Sequence, residues 1–108
     1  MENLNYQEAI EKILSNFSEM VVQKGEEVEI ICDRLGGHYL VMVVGWHNKI
    51  RVYGSLVHID LKDDKIWIQQ DRTDTGIAKE LVGMGIPKSN IVLAFKSAFL
   101  RKFTEYAS

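Results

Sequence analysis

The sequence predicts an α+β fold: an N-terminal helix, a four-stranded antiparallel meander, a short helix, a short final strand and a C-terminal helical tail. Three observations carry this expectation. Between Val28 and Asp71 the pairs Gly36-Gly37, His47-Asn48 and Asp63-Asp64 punctuate runs rich in Val, Ile, Tyr and Trp. Gly, Asn and Asp supply the positive φ angles that two-residue hairpin loops need. From Leu4 to Val22, apolar groups recur at Tyr6, Ile10, Ile13, Leu14, Phe17, Met20 and Val21, the spacing of one helical stripe. After the sheet, Ile77, Ala78, Leu81 and Val82 repeat that spacing over a shorter length, and the uninterrupted apolar run Ile91 to Phe95 follows.

The first helix takes Asn3 or Asn5 as its cap, has Glu8 in its first turn, and is stopped by Gly25 ahead of the first strand. In the meander, side chains alternate between faces. A turn at His47-Asn48 sets Trp46 against Lys49 and Val44 against Arg51, so Tyr39, Val41 and Val43 share a face with Ile50 and Val52. The Gly36-Gly37 turn adds Val28, Ile30 and Cys32 to it. The Asp63-Asp64 turn pairs Leu61 with Ile66 and Ile59 with Ile68. Ile50 and Val52 are even-numbered while Val57, Ile59 and Leu61 are odd, so one regular strand cannot point both sets inward. A bulge near Gly54, at Gly54-Ser55, resolves the conflict by inserting one residue. Thr75 or Asp74 caps the second helix, Gly83 and Gly85 end it, and Pro87 prevents continuation. Ile91 to Phe95 reads as a buried strand at one edge of the sheet, with a helix as the lesser option. The tail from Ser97 to Tyr106 forms one or two helical turns with Phe99, Phe103 and Tyr106 as its apolar side.

The inner face of this sheet is almost purely aliphatic and calls for a helical cover. The opposite face carries Glu29, Ile31, Leu40, Met42, Val44, Trp46, Arg51, Tyr53, His58, Asp60, Trp67 and Gln69. A solvated face of an antiparallel sheet is mostly polar. This one mixes large apolar groups with Trp, Tyr and Arg, the composition of a protein interface core. Either a partner covers it or a helix of the same chain does.

A chain of 108 residues with one Cys, formal charge −2, 13 basic and 15 acidic residues is read as one domain, residues 1–108, with a single core. A lone cysteine, no basic-then-apolar leader and no apolar run of membrane-spanning length place it in the cytoplasm, without a membrane. Nucleic-acid binders show a basic stripe; here the cations are scattered, so DNA contact by the protein alone is expected to be weak.

His58 and Asp60 lie two apart in a strand and project from the same face. A carboxylate that orients an imidazole is a component of acid–base chemistry, yet no serine or cysteine nucleophile is placed to use it. A surface pair at an interface is the preferred reading, and no catalytic residue is assigned. No metal or cofactor is expected: His38, His47 and His58 share no ligand spacing, and Cys32 has no second cysteine. Asp71 and Asp74 read as turn and cap residues. Trp46 and Trp67, beside Arg51 and Lys65, suit base stacking or a protein contact, and the acidic balance favours protein. A helix-turn-helix over Ile77 to Val92 would present Ile91-Val92-Leu93-Ala94-Phe95, all apolar, where base-reading side chains must be.

The strings Val44-Gly45-Trp46, Arg51-Val52, Gly54, His58-Ile59-Asp60 and Lys65-Ile66-Trp67-Ile68-Gln69 resemble the XisI family, the excision-controlling factors of the cyanobacterial fdxN element. Asp71, Thr73, Gly76-Ile77-Ala78, Glu80-Leu81-Val82, Gly85-Ile86-Pro87, Ile91 to Phe95, Arg101, Thr104, Tyr106 and Ala107 extend the resemblance over nearly the whole chain. The chain departs from the family pattern at Lys96-Ser97-Ala98, where a His-Pro pair is usual, at Asp64 for a turn glycine, and at Arg72 for a small residue. The resemblance implies a single XisI-like domain with a non-enzymatic accessory role in programmed DNA rearrangement, beside a recombinase and a XisH-like companion. The expected contact surface is Met42, Trp46, Arg51, Tyr53, His58, Asp60, Trp67 and Gln69, meeting a second copy in a homo-oligomer or the companion. The alternatives are a DNA-contacting accessory using Arg51, Arg101 and Lys102, and a hydrolase or nuclease using His58 and Asp60.

Overall fold

The computed structural model describes residues 5–19, 22, 24–74 and 76–108. Its elements are α1 (Tyr6–Ser15), β1 (Glu26–Asp33), β2 (His38–His47), β3 (Ile50–Lys62), β4 (Lys65–Asp71), α2 (Ile77–Gly83), β5 (Ile91–Leu93) and α3 (Ala98–Arg101), with a single 3-10 turn at Lys88–Asn90. The strands form one sheet in the order β1-β2-β3-β4-β5. The first four strands are the expected antiparallel meander, and β5 joins its far edge parallel to β4. A parallel neighbour needs a crossover, and α2 supplies it.

Asn5 caps α1 through Oδ1, which accepts from the Glu8 backbone N–H at 3.1 Å. The helix is shorter than its apolar stripe; Leu4, Met20, Val21 and the alternative cap Asn3 lie outside the described residues. Ala9, Ile10, Ile13 and Leu14 of α1 and Ile77, Ala78 and Leu81 of α2 close over Tyr39, Val41, Val57, Ile59, Ile66 and Ile68, with Ile91 and Leu93 at the edge. All three hairpins are present, with two register corrections. The first loop is four residues, 34–37, because Asp33 Oδ1 accepts from Gly36 N at 2.9 Å and Asp33 O from Gly37 N at 2.8 Å, which pairs Asp33 with His38. The second turn is Asn48-Lys49, not His47-Asn48: Asn48 takes the left-handed φ of 57° and His47 pairs with Ile50. Each correction moves the pairing by an even number, so every side chain keeps its face. Asp63 and Asp64 both adopt positive φ, 54° and 59°, the left-handed conformation that this two-residue loop requires.

The bulge falls at Leu56, next to the expected Gly54-Ser55: Met42 pairs with Ser55 and Val41 with Val57. A second bulge, absent from the sequence reading, sits at Gln69, between Ile59↔Ile68 and His58↔Gln70. Exposure departs from expectation at the margins of the helical cover. Cys32 is on the inner face but exposed, because β1 is the sheet edge. Ile50, also inward by parity, is 67% exposed at the outer end of the β2–β3 ribbon. Phe99 and Phe103 pack edge-to-face on each other at 5.4 Å and are exposed, so of the tail's expected apolar side only Tyr106 reaches the core. The segment after Pro87 is a 3-10 turn and a buried strand, which leaves no second helix for a helix-turn-helix.

The cap of α2 is a correction as well. Gly76, with φ of 88°, occupies the N-cap position and no side chain caps there; Thr75 lies outside the described residues. Asp71 acts instead: its Oδ2 accepts from Ile77 N at 2.7 Å, while Oδ1 accepts from Thr73 N at 2.9 Å and Thr73 Oγ1 at 2.5 Å. One carboxylate thus ties the end of β4 to the start of α2. Replacing it leaves three donors without a partner, so Asp71→Ala is expected to cost about 1–2 kcal/mol, the size of a lost helix cap. Equilibrium urea unfolding of the variant reads it directly.

Candidate functional site: the open sheet face and its histidine–aspartate cluster

α1 and α2 occupy one face of the sheet; among the described residues the other face is built by the strands. Its β2 residues are Leu40, Met42, Val44 and Trp46; across from them stand Glu27, Glu29 and Ile31 on β1 and Arg51, Tyr53, His58 and Asp60 on β3. The bulge at Leu56 is what lets odd residues before it and even residues after it share this face. Trp67 pairs with Asp60 from β4. Trp46 and Tyr53 are 55% and 70% exposed, whereas Met42 is buried in mid-sheet. The aromatics hold their own cations. The Arg51 guanidinium lies 5.5 Å from the Trp46 ring and 5.8 Å from the Tyr53 ring, donating to Gly45 O at 3.2 Å. Lys62 Nζ stands 4.5 Å over Trp67, whose Nε1 donates to Lys62 O. Arg51 therefore lies between two rings on the exposed face. Arg101 donates to Lys96 O within the tail and Lys102 lies over Phe99, so the three cations of the DNA-contact reading are each engaged locally.

At the opposite end of the β2–β3 ribbon a polar cluster gathers. His38 stands directly across from Asp60, and His58 is two residues before it. Asp60 Oδ1 accepts from His38 Nδ1 at 2.8 Å and from His58 Nε2 at 2.9 Å; Oδ2 accepts from Gln69 Nε2 at 3.2 Å. An ionised carboxylate only accepts, which sets the proton on the facing nitrogen of each ring. Sequence reasoning paired His58 with Asp60 and missed His38, 22 positions from Asp60. The corrected register sets it directly opposite Asp60, so histidine spacing along the chain was the wrong guide. Of the expected contact residues, Met42, Trp46, Arg51 and Tyr53 belong to the aromatic end, and His58, Asp60, Trp67 and Gln69 to the polar end.

The cluster has a defined electrostatic sign. Burial alone pushes the Asp60 carboxyl up, but the hydrogen bonds from His38 and His58 and their charges outweigh it and hold it below the ordinary carboxylate range. The Asp60 hydrogen bond raises His38 above an ordinary imidazole, against a smaller effect of burial and with help from the Asp60 and Asp33 charges. A lowered carboxylate stabilises above its unfolded pKa and that contribution is lost as pH falls; a raised imidazole stabilises below its unfolded pKa and loses the contribution as pH rises. The two overlap between about pH 4 and about pH 6.5. Thermal unfolding in chelator-treated buffer is expected to show a shallow stability maximum there, and Asp60→Asn to flatten it.

The XisI protein family matches residues 1–108, and the chain belongs to it. Its fold is similar to that of a XisI-like protein from Anabaena variabilis ATCC 29413, with 42% identity, a TM-score of 0.90 and 94% of each chain covered. It is also similar to the fdxN element excision controlling factor XisI of the same organism, at 29% identity, a TM-score of 0.80 and 94% of each chain. No curated protein matches the sequence. Among the described residues no helix is long and apolar enough to cross a membrane.

Proposed function

We propose that the protein is a non-enzymatic accessory factor that works as a homodimer, its two open sheet faces stacked on each other. The layout of charge on that face supports this reading. Apolar and aromatic groups run down β2 and its neighbours, exposed Glu27 and Glu29 flank them on β1, and Arg51, Lys62 and Lys65 flank them on β3 and β4. A two-fold axis along β2 turns β1 of one copy over β3 of the other, so acid meets base twice and the apolar strip meets itself. Strand pairing at the β1 edge is disfavoured by its own glutamates, Glu26, Glu27 and Glu29. The printed name of the Anabaena relative, an excision controlling factor, extends to this chain as a role in controlling excision of a DNA element; the XisH-like companion that the sequence resemblance implies is the further partner of this reading.

Sedimentation equilibrium tests the dimer. The protein is expected to run as a dimer, and Glu27→Arg or Arg51→Glu alone as a monomer. The double exchange, which restores opposite charges, is expected to return the dimer. A wild-type monomer, or a dimer indifferent to both single changes, overturns the reading.

A further inference from the structure

We propose that His38, His58 and Asp60 form a binding site for a first-row divalent transition-metal ion, with Zn²⁺ as the representative. Their ligand atoms, Nδ1 of His38, Nε2 of His58 and a carboxylate oxygen of Asp60, all lie within 4.8 Å of one another. Metal–ligand bonds of about 2.0–2.2 Å set neighbouring ligand atoms about 3.0–3.5 Å apart. The two Asp60–imidazole separations, 2.8 and 2.9 Å, are already near that edge length. The imidazoles need to close by no more than about 1.5 Å, within reach of small χ adjustments from a rigid strand pair.

Three further features distinguish this group from an ordinary surface ion pair. His38 and Asp60 are directly opposed and His58 shares the same face, so the backbone register holds all three ligands on one side of a sheet. Gln69, displaced by its bulge, donates to the Asp60 oxygen that the histidines do not use. That is the outer hydrogen bond that orients a ligating carboxylate. His38 is exposed on its solvent side, which leaves room for water to complete the coordination sphere. Two imidazoles and one carboxylate favour Zn²⁺, Ni²⁺, Cu²⁺ or Fe²⁺, while Mg²⁺ and Ca²⁺ demand oxygen ligands throughout. On binding, each neutral ring moves its proton to the nitrogen facing away from the ion, Nε2 in His38 and Nδ1 in His58; a ring that starts protonated releases one proton to solvent.

The cluster lies on the same open face as the proposed dimer contact but at the far end of β2 from Trp46, roughly 25 Å away at strand rise, so the titration is run on the parent and on the Arg51→Glu variant, and the site is expected in both. Calorimetric titration of the chelator-stripped protein with Zn²⁺, in a Cys32→Ser background that removes the exposed thiol, is the test. One saturable site per chain is expected. His38→Ala, His58→Ala and Asp60→Asn should each lose it, Gln69→Ala should weaken it about tenfold, and His47→Ala should leave it unchanged. Mg²⁺ should give no heat, and Co²⁺ should give a d–d absorption band that His58→Ala abolishes. No Zn²⁺ binding by the parent protein, or binding that survives in His38→Ala and His58→Ala, overturns the site. Circular dichroism of the variants separates lost ligands from lost fold.

Discussion

Ile59→Ala is expected to destabilise the protein by about 2–5 kcal/mol, while Ile50→Ala in the same strand is expected to cost less than about 0.5 kcal/mol. Both isoleucines point by parity to the inner face of β3, and hydrophobic pattern alone treats them alike. The structure separates them. Ile59 has no exposed surface and sits under α1 and α2 with Tyr39, Val57 and Ile68, so truncation leaves a cavity that packed neighbours cannot refill. Ile50 is 67% exposed at the last pair of the ribbon, opposite His47. Chemical denaturation of the two variants checks the contrast, and near-equal losses would mean that the helical layer extends along the whole ribbon.

The same contrast shows why the sequence was informative in some places and silent in others. Helix α1, the four hairpin strands and the edge strand β5 rest on periodicity and turn chemistry, which are local. The need for a bulge near Gly54 was also legible, because the parity of Ile50 and Ile59 cannot otherwise agree. Exposure was not, since it depends on where a helix of 10 residues ends over a ribbon with strands of 10 and 13. Cys32, Ile50, Phe99 and Phe103 all carry apolar character at sites beyond that cover. The Asp71 cap reaches six positions along the chain to Ile77, past the range of ordinary capping rules. The polar cluster was half legible: strand alternation gives His58 beside Asp60, but His38 stands opposite Asp60 only in a register two residues from the one that the turn residues suggest.

The junction of β1 with the end of β2 is held by a backbone contact, and its disruption is the second large effect expected. Gly45 adopts φ of 147° where β2 passes the start of β1, and a Cβ built there would stand 2.1 Å from Gly25 O and 2.8 Å from Glu26 Cα. Gly25 is the mirror case: its φ is 92°, and a Cβ would meet Trp46 O at 2.3 Å. The two glycines let the strands close on the bond from Trp46 N to Gly25 O, 3.0 Å. Gly45→Ala adds backbone strain of about 1–3 kcal/mol to an overpacking cost of similar size, so a loss of about 3 kcal/mol is expected. For a chain of this length that lowers the thermal midpoint by roughly 10 °C or more. Gly54→Ala is the control, because nothing lies within 4 Å of the added carbon. Calorimetry of the pair should show a large fall for the first and little change for the second. Amide exchange should accelerate first at Trp46, where the strand junction opens, while amides of β4 beneath α2 keep their protection until global unfolding.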